Sequence, residues 1–212
     1  MDDDGPMRPG VAMFIDRRDG DRIYTVDQFL DEATCHSLIE QGESLGFGVA
    51  LIGQGEDAAI RLEFRDNNRA MTDDPGLADG LFVRARPLLP ASWSAMGRVW
   101  VLDGLNPRIR FYRYDPGQRF APHYDGHYRA PDGSTSFLTF LVYLRGGIGG
   151  GSTRFYRRGD SGHFRVAFEV CPAAGMALVF AHDELHEGAP VESGRKYVVR
   201  SDVMYRLATS RG

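Results

Sequence analysis

The second half of the sequence consists of short β-prone runs that glycine and proline turns separate. We predict strands over residues 108–114, 137–145, 152–156, 164–170, 175–181 and 196–205. Many short strands that follow helical segments are typical of a helix-supported β-sandwich or jelly roll, whose mouth commonly carries a site.

Two helices are predicted before this β-rich half. Asp31 can cap a helix that ends at Gly46, and Asp74-Pro75 is a cap followed by a first helical residue, with Pro90 beyond the end. The apolar positions that would face a sheet are Cys35, Leu38, Ile39 and Leu45 in the first helix, and Leu77, Leu81, Phe82, Ala85 and Leu88 in the second. Both helices are therefore expected to pack as scaffold.

A chain of 212 residues with 42% hydrophobic residues fits one domain better than two. We expect a flexible N-terminus over residues 1–10 and a single domain over residues 11–212. Within it, residues 11–105 would provide helical and strand support, and residues 106–206 would form the catalytic core.

Composition argues against several partners and compartments. The net charge of −4 comes without a cluster of basic and aromatic residues, so nucleic acid is not expected as a partner. The acidic start differs from a signal peptide, and no apolar run approaches a membrane span. The distant Cys35 and Cys171 suit a reducing compartment. We expect a cytoplasmic protein without membrane association.

His123 and Asp125 are two residues apart, and in an extended segment both side chains would lie on one face. His186 would add a second imidazole. Two imidazoles and one carboxylate leave open positions on a metal, as in non-haem Fe(II) oxygenases. The sequence therefore offers His123, Asp125 and His186 as catalytic metal ligands.

The His-x-acid pair alone is weak, because roughly 0.8 such pairs are expected by chance in a chain of this composition. His182-x-Glu184 is a second pair. A single histidine is more often structural or exposed than a ligand.

Lys196 lies ten residues after His186, beyond a predicted Ser193-Gly194 turn. A cation there could bind the distal carboxylate of a five-carbon diacid whose keto-acid end chelates iron. Val198 and Arg200 would share the strand face of Lys196, so two cations would point inward and an anion is expected between the sheets.

Four motifs resemble the prolyl 4-hydroxylase-like branch of the Fe(II)/2-oxoglutarate oxygenases over roughly residues 106–206. They are RFYRYDPGQRFAPHYDG, FLTFLVYL, GGSTRF and HEGAPVESGRKYVVRSDVMYR. The resemblance implies an α+β, mainly β fold, with a double-stranded β-helix (jelly roll) core and N-terminal supporting helices. It also implies Fe(II), 2-oxoglutarate as co-substrate and O2, with ascorbate as a reductant.

The same resemblance implies a co-substrate site. Tyr114 would hydrogen-bond 2-oxoglutarate, Tyr143 would approach its distal carboxylate, and Thr153 would line the same pocket. Lys196 would be the main anchor. Arg200 stands where relatives often have a smaller polar residue, so it is either a second anchor or a reader of the prime substrate.

Two other chemistries fit the sequence less well. Gly149-Gly150-Gly151 lacks the Lys-Ser/Thr and the helix start of a phosphate loop. In the run from His182 to His186, Asp183 replaces the glutamate base of a zinc protease, and the preceding segment is typical of a buried strand. His182 is accordingly expected in a turn.

For the prime substrate we expect a mobile loop over residues 126–135 at the pocket mouth. Tyr128 and Arg129 offer it an aromatic face and a forked donor. Arg65, Asn67 and Arg69, from an earlier loop, would form the opposite wall.

The predicted function is hydroxylation of a C–H bond, with decarboxylation of 2-oxoglutarate to succinate and CO2. A peptidyl proline or another protein side chain is ranked first as substrate, before a free amino acid or a small metabolite. Two alternatives of other classes are a metal-binding jelly-roll sensor that oxidises nothing and a zinc or nickel hydrolase or isomerase.

Overall fold

The computed structural model of the protein describes residues 13–49 and 64–208. The stretch 1–10, expected to be flexible, lies outside these residues. The helices are α1 (Glu32–Leu45) and α2 (Pro75–Ala85), and a 3-10 turn (Arg86–Leu88) follows α2. The strands are β1 (Ile15–Asp19), β2 (Ile23–Val26), β3 (Gly48–Val49), β4 (Asn68–Asp73), β5 (Ser92–Ala95), β6 (Arg98–Leu105), β7 (Arg108–Tyr114), β8 (Phe120–His123), β9 (Thr135–Tyr143), β10 (Gly149–Gly150), β11 (Thr153–Arg158), β12 (Phe164–Val170), β13 (Ala177–Ala181), β14 (His186–Gly188), β15 (Val191–Ser193) and β16 (Lys196–Leu207).

Two large antiparallel sheets and a two-stranded one form the body of the described chain. The largest sheet has the order β1-β2-β13-β9-β16-β7-β4-β3, and β6 pairs with β16 and with β5. The smaller sheet has the order β12-β11-β14-β8, and β10 and β15 form the separate two-stranded sheet. This arrangement confirms the predicted jelly roll, because two sheets with crossing connections enclose one interior.

Strand β16 shows how the larger sheet separates two cores. Tyr197 and Val199 belong to an outer apolar cluster that includes the helices, whereas Val198 belongs to an inner cluster between the sheets. Side chains of a strand alternate between the two faces of its sheet. Lys196 and Arg200 therefore project with Val198 into the interior, as the sequence predicted.

Both helices begin as predicted. The Asp31 side chain accepts a hydrogen bond from the Thr34 backbone N–H, and Asp74 accepts one from Leu77. Helix α1 packs against β4, and α2 packs against β6 and β7. Leu45 differs from the prediction, since it remains 43% exposed in the last turn of α1. No helix in residues 13–49 and 64–208 has the length and hydropathy needed to cross a membrane.

Candidate active site

The three predicted metal ligands meet in the interior. His123 ends β8 and lies directly opposite His186 of β14. Asp125 lies beyond the end of β8, where its backbone N–H donates to the His182 carbonyl at 3.0 Å. One ligand atom from each of the three side chains lies within 4.8 Å of the other two. The strand pairing and this backbone hydrogen bond thus bring together residues that are up to 63 positions apart.

Hydrogen bonds orient both imidazoles. The Nδ1 atoms of His123 and His186 lie 2.8 and 2.9 Å from the carbonyl oxygens of Ala121 and Glu184. A ring nitrogen that donates to a carbonyl is protonated, so the Nε2 atoms keep their lone pairs. Both Nε2 atoms lie close to Asp125, at 3.7 and 3.8 Å from its carboxylate oxygens.

The protonation states also suit a divalent metal. Burial lowers the pKa of His123 to about 3, and burial lowers the pKa of His186 as well. Burial would raise the pKa of Asp125, but Arg200 and the two imidazoles bring it below its ordinary value. Neutral imidazoles and an ionised carboxylate are the ligand forms that bind metal. This donor set fits Fe(II) with open coordination positions.

Arg200 and Thr139 hold the Asp125 carboxylate. Arg200 Nη1 lies 3.0 Å from Asp125 Oδ1, and the Thr139 hydroxyl donates to Oδ2 at 2.5 Å. Arg200 Nη2 contacts Asp202 Oδ1 at 3.2 Å. Arg200 was predicted either to anchor 2-oxoglutarate or to recognise the prime substrate. It does line the cavity, but its guanidinium already contacts the carboxylates of Asp125 and Asp202. Sequence reasoning missed Thr139, although alternation along the predicted strand 137–145 places it on the inner face with Leu141 and Tyr143.

Lys196 lies at another part of the same cavity and is 2% exposed. Its Nζ donates to the Gly151 carbonyl at 2.6 Å and lies 5.0 and 5.4 Å from the ring centres of Tyr114 and Tyr143. The Tyr143 hydroxyl is 2.6 Å from Thr153 Oγ1. An ammonium has three donors, so two remain for a bound anion. The structure thus brings together the four residues predicted to hold 2-oxoglutarate.

Apolar side chains line part of the cavity. Phe120 stacks on His123 with ring centres 3.6 Å apart, and Phe180 meets the edge of His186 at 4.4 Å. Leu141 and Val198 line the wall between the metal ligands and Lys196. Such a lining raises the strength of each electrostatic contact inside.

The expected substrate residues fall into two groups. Arg65 stacks over the rings of Tyr112 and Phe120, and Asn67 accepts its Nε–H at 2.7 Å, so this wall does adjoin the site. Tyr128 and Arg129 are not among the residues that line the cavity. The expected mobile loop 126–135 is a hydrogen-bonded turn, in which Arg129 bridges to Thr135.

His182 lies in a turn, as predicted, but it is buried and not exposed. Neither ring nitrogen has a hydrogen-bond partner, and Nε2 lies 3.9 Å from Asp202. Residues 177–181 form a strand, so the alternative of a zinc protease helix is excluded.

Comparison with known proteins agrees with this geometry. Residues 109–201 match the family described as the 2OG-Fe(II) oxygenase superfamily. No curated protein matches the chain significantly.

Solved structures share the fold. A viral collagen prolyl hydroxylase from Paramecium Bursaria Chlorella virus-1 aligns with a TM-score of 0.57 and 20% identity, over 87% of this chain and 97% of that one. A Pseudomonas putida prolyl-4-hydroxylase gives 0.58 and 18%, over 85% and 91%. A Trichoplax adhaerens prolyl hydroxylase, in complex with a hypoxia-inducible-factor peptide fragment, gives 0.61 and 16%, over 86% and 83%. The resemblance to the Fe(II)/2-oxoglutarate oxygenases reached from the motifs is confirmed by the family match, and proteins of this family use Fe(II), 2-oxoglutarate and O2.

Proposed function

Because residues 109–201 carry the core of a 2-oxoglutarate- and Fe(II)-dependent oxygenase, we propose that the chain hydroxylates a C–H bond of a prime substrate. In this reaction 2-oxoglutarate, O2 and R–H become succinate, CO2 and R–OH, so one oxygen atom enters each organic product. The observation that carries the proposal is one cavity lined by His123, His186 and the buried Lys196, with Asp125 clustered beside the two histidines.

The metal site would be formed by His123, Asp125 and His186. When bound there, Fe(II) supplies the oxygen activation and C–H oxidation that no side chain can perform. Arg200 and Thr139 would keep the Asp125 carboxylate in one orientation, since each contacts a different oxygen. Contacts of this kind around a metal fix the geometry of its ligands.

Lys196 would hold the distal carboxylate of 2-oxoglutarate. The ammonium lies beside the rings of Tyr114 and Tyr143, and the Tyr143 hydroxyl contacts Thr153, whereas His123 and His186 line the same cavity. A five-carbon diacid anchored at both ends has little freedom to move. The side chains of Phe120 and Phe180 would exclude water from the metal side.

A protein side chain remains the first candidate for the prime substrate. Three neighbours of similar fold are prolyl hydroxylases, and one of them is seen with a peptide. The second candidate is a free amino acid or a small metabolite. The arginines near the proposed metal ligands favour this candidate, because a guanidinium can bind a carboxylate.

The proposal is tested with purified protein, Fe(II), 2-oxoglutarate, ascorbate and O2. We expect succinate and CO2 to form even without a prime substrate, at a rate that falls to background under nitrogen. A sensor would bind the metal without forming succinate. A zinc or nickel hydrolase or isomerase would act equally well without oxygen, and either result would contradict the proposal.

The pH dependence of co-substrate binding is a separate prediction. Burial lowers the pKa of Lys196 to about 7, and a bound dianion would raise it again. Above pH 7, binding must then take up a proton, so the Kd for 2-oxoglutarate should rise with pH by up to about tenfold per unit. Below pH 7, Lys196 is already charged and the Kd should become constant.

Lys196 is the single lysine of the chain, so this prediction can be measured at the side chain itself. Protein labelled with ¹³C-lysine should give one side-chain Cε signal, whose titration midpoint lies near 7 without ligand and higher with 2-oxoglutarate. A midpoint near the ordinary value of 10.5 in the free protein would contradict it.

A further inference from the structure

Four arginines cluster beside the proposed metal site. Arg69 of β4 lies directly opposite Tyr112 of β7, and Arg110 of β7 lies directly opposite Arg200 of β16. Directly paired residues of antiparallel strands project from the same face of the sheet. These side chains therefore share the inner face of the larger sheet, and the fourth member is Arg65.

Arg65 reaches the same place from outside the sheet. It is 5% exposed, and its guanidinium lies 4.7 Å from the ring centre of Tyr112 and 4.3 Å from that of Phe120. Phe120 in turn stacks on His123, so Arg65 is one aromatic ring away from a metal ligand. Arg65 Nη2 is buried and has no hydrogen-bond partner among residues 13–49 and 64–208. A buried donor of this kind normally has an acceptor.

The cluster has fewer negative than positive groups. Asp202 pairs with Arg110 at 2.9 Å and with Arg200 at 3.2 Å, and Asp125 pairs with Arg200. Within residues 13–49 and 64–208, no carboxylate forms an ion pair with Arg65 or Arg69. Among the residues that the structure describes, two positive charges near the cavity thus have no anionic partner.

The pKa of Tyr112 reflects the same excess of positive charge. Burial would raise the pKa of this phenol, but the nearby Arg200, Arg65 and Arg110 bring it below its ordinary value. The pKa of the Arg69 guanidinium is also lowered, by burial and by the positive charges of the neighbouring arginines. The region around the Tyr112 hydroxyl therefore favours a negative charge.

The co-substrate does not account for this charge. Lys196 and Arg200 are four residues apart in β16, about 13 Å at the rise of a strand. In the proposed function, Lys196 holds one end of 2-oxoglutarate and the metal holds the other. Arg65 and Arg69 lie outside the residues that line that cavity, so a 2-oxoglutarate held there would not pair with them.

We infer that the prime substrate carries a carboxylate, which Arg65 and Arg69 bind beside the metal site. This inference rests on the proposed function. A guanidinium presents paired N–H donors that match a carboxylate, and the free Nη2 of Arg65 would gain an acceptor. The carboxylate belongs either to a free amino acid or to an acidic side chain in a peptide. A neutral peptidyl proline does not supply it.

The test compares acids with their neutral counterparts. Fe(II)-loaded protein with 2-oxoglutarate is given each of the twenty free L-amino acids, their α-carboxamides, and the N-acetyl amides of aspartate and glutamate. Succinate release above the substrate-free rate is measured. We expect at least one acid to be preferred over its amide by about 10- to 100-fold in kcat/KM, the range for hydrogen bonds to charged groups.

The arms of this experiment separate the two sources of the carboxylate. Stimulation by a free amino acid but not by its amide identifies an α-carboxylate, and stimulation by the N-acetyl amides identifies a peptide side chain. Amides that act as well as acids overturn the inference, as does a panel in which no carboxylate accelerates turnover. Substrate-free succinate distinguishes this failure from failure of the proposed function, which would abolish that signal too.

Arg69→Gln provides the matched variant. It removes one half-buried charge that has no ion-pair partner within the described part of the chain, and we expect the ratio of kcat/KM for acid to amide to fall toward one. Arg108→Gln is the control, because Arg108 lies on the neighbouring strand β7 and pairs with Asp73 at the surface. The ratio is taken within each protein, so it is independent of the folded fraction. An unchanged ratio in Arg69→Gln overturns the assignment of Arg69.

Discussion

Replacing Asp125 by alanine is expected to lower succinate formation by more than about 100-fold. Loss of a residue that only orients a ligand typically costs 10- to 100-fold in metal affinity or activity, so loss of a ligand should cost more. The fold should persist, since Arg200 keeps Asp202 as an anionic partner at 3.2 Å. Iron binding, succinate release and circular dichroism together check this expectation.

The control for this variant is Asp79→Ala, which removes an exposed carboxylate from α2. It should bind iron and form succinate like the unaltered protein. His186→Ala should behave like Asp125→Ala if both are ligands. Unchanged iron affinity and turnover in Asp125→Ala would remove Asp125 from the metal site.

The second large effect is expected for Lys196→Ala. Removing one partner of a buried, hydrogen-bonded charge pair should weaken 2-oxoglutarate binding by about 2–4 kcal/mol, or about 30- to 700-fold in Kd. Iron binding should be nearly unaffected, because Lys196 contacts Gly151, Tyr114 and Tyr143 and none of the proposed ligands. Titration with 2-oxoglutarate in the presence of Mn(II) measures both constants.

Two further variants make this result specific. Arg195→Ala removes the adjacent exposed cation, which pairs with Asp115, and should leave the Kd unchanged. Arg200→Ala should weaken the metal site first, because Arg200 contacts Asp125. If Arg200→Ala raises the 2-oxoglutarate requirement and Lys196→Ala does not, Arg200 is the anchor.

Local signals in the sequence were sufficient for much of the fold. Asp31 and Asp74 cap the helices as predicted, and the strands 108–114 and 164–170 have the predicted bounds. These features depend on neighbours in the chain, such as a cap or an alternation of apolar residues. The brief strands β8, β14 and β15 contain too few residues to show an alternation, and they were not predicted.

Contacts across strands could not be predicted in the same way. Arg110 and Asp202 are 92 residues apart, and Thr139 meets Asp125 only because β9 and the turn after β8 lie on the same side of the cavity. Alternation within one strand predicts which face a side chain occupies but not its partner on the next strand. The metal ligands were found because their residue types and order carry information, whereas the arginine cluster depends on pairing alone.

The alternation along β16 also bears on how the chain avoids misfolding. If β16 paired one residue out of step, Lys196, Arg200 and Asp202 would face the apolar layer beneath the helices, and Tyr197 and Val199 would fill the cavity. Each ion buried there without its partners would cost several kcal/mol. The misaligned states are therefore disfavoured by the charges on the inner face of β16. A variant that neutralises them should fold with a less well determined strand alignment, even where its stability is unchanged.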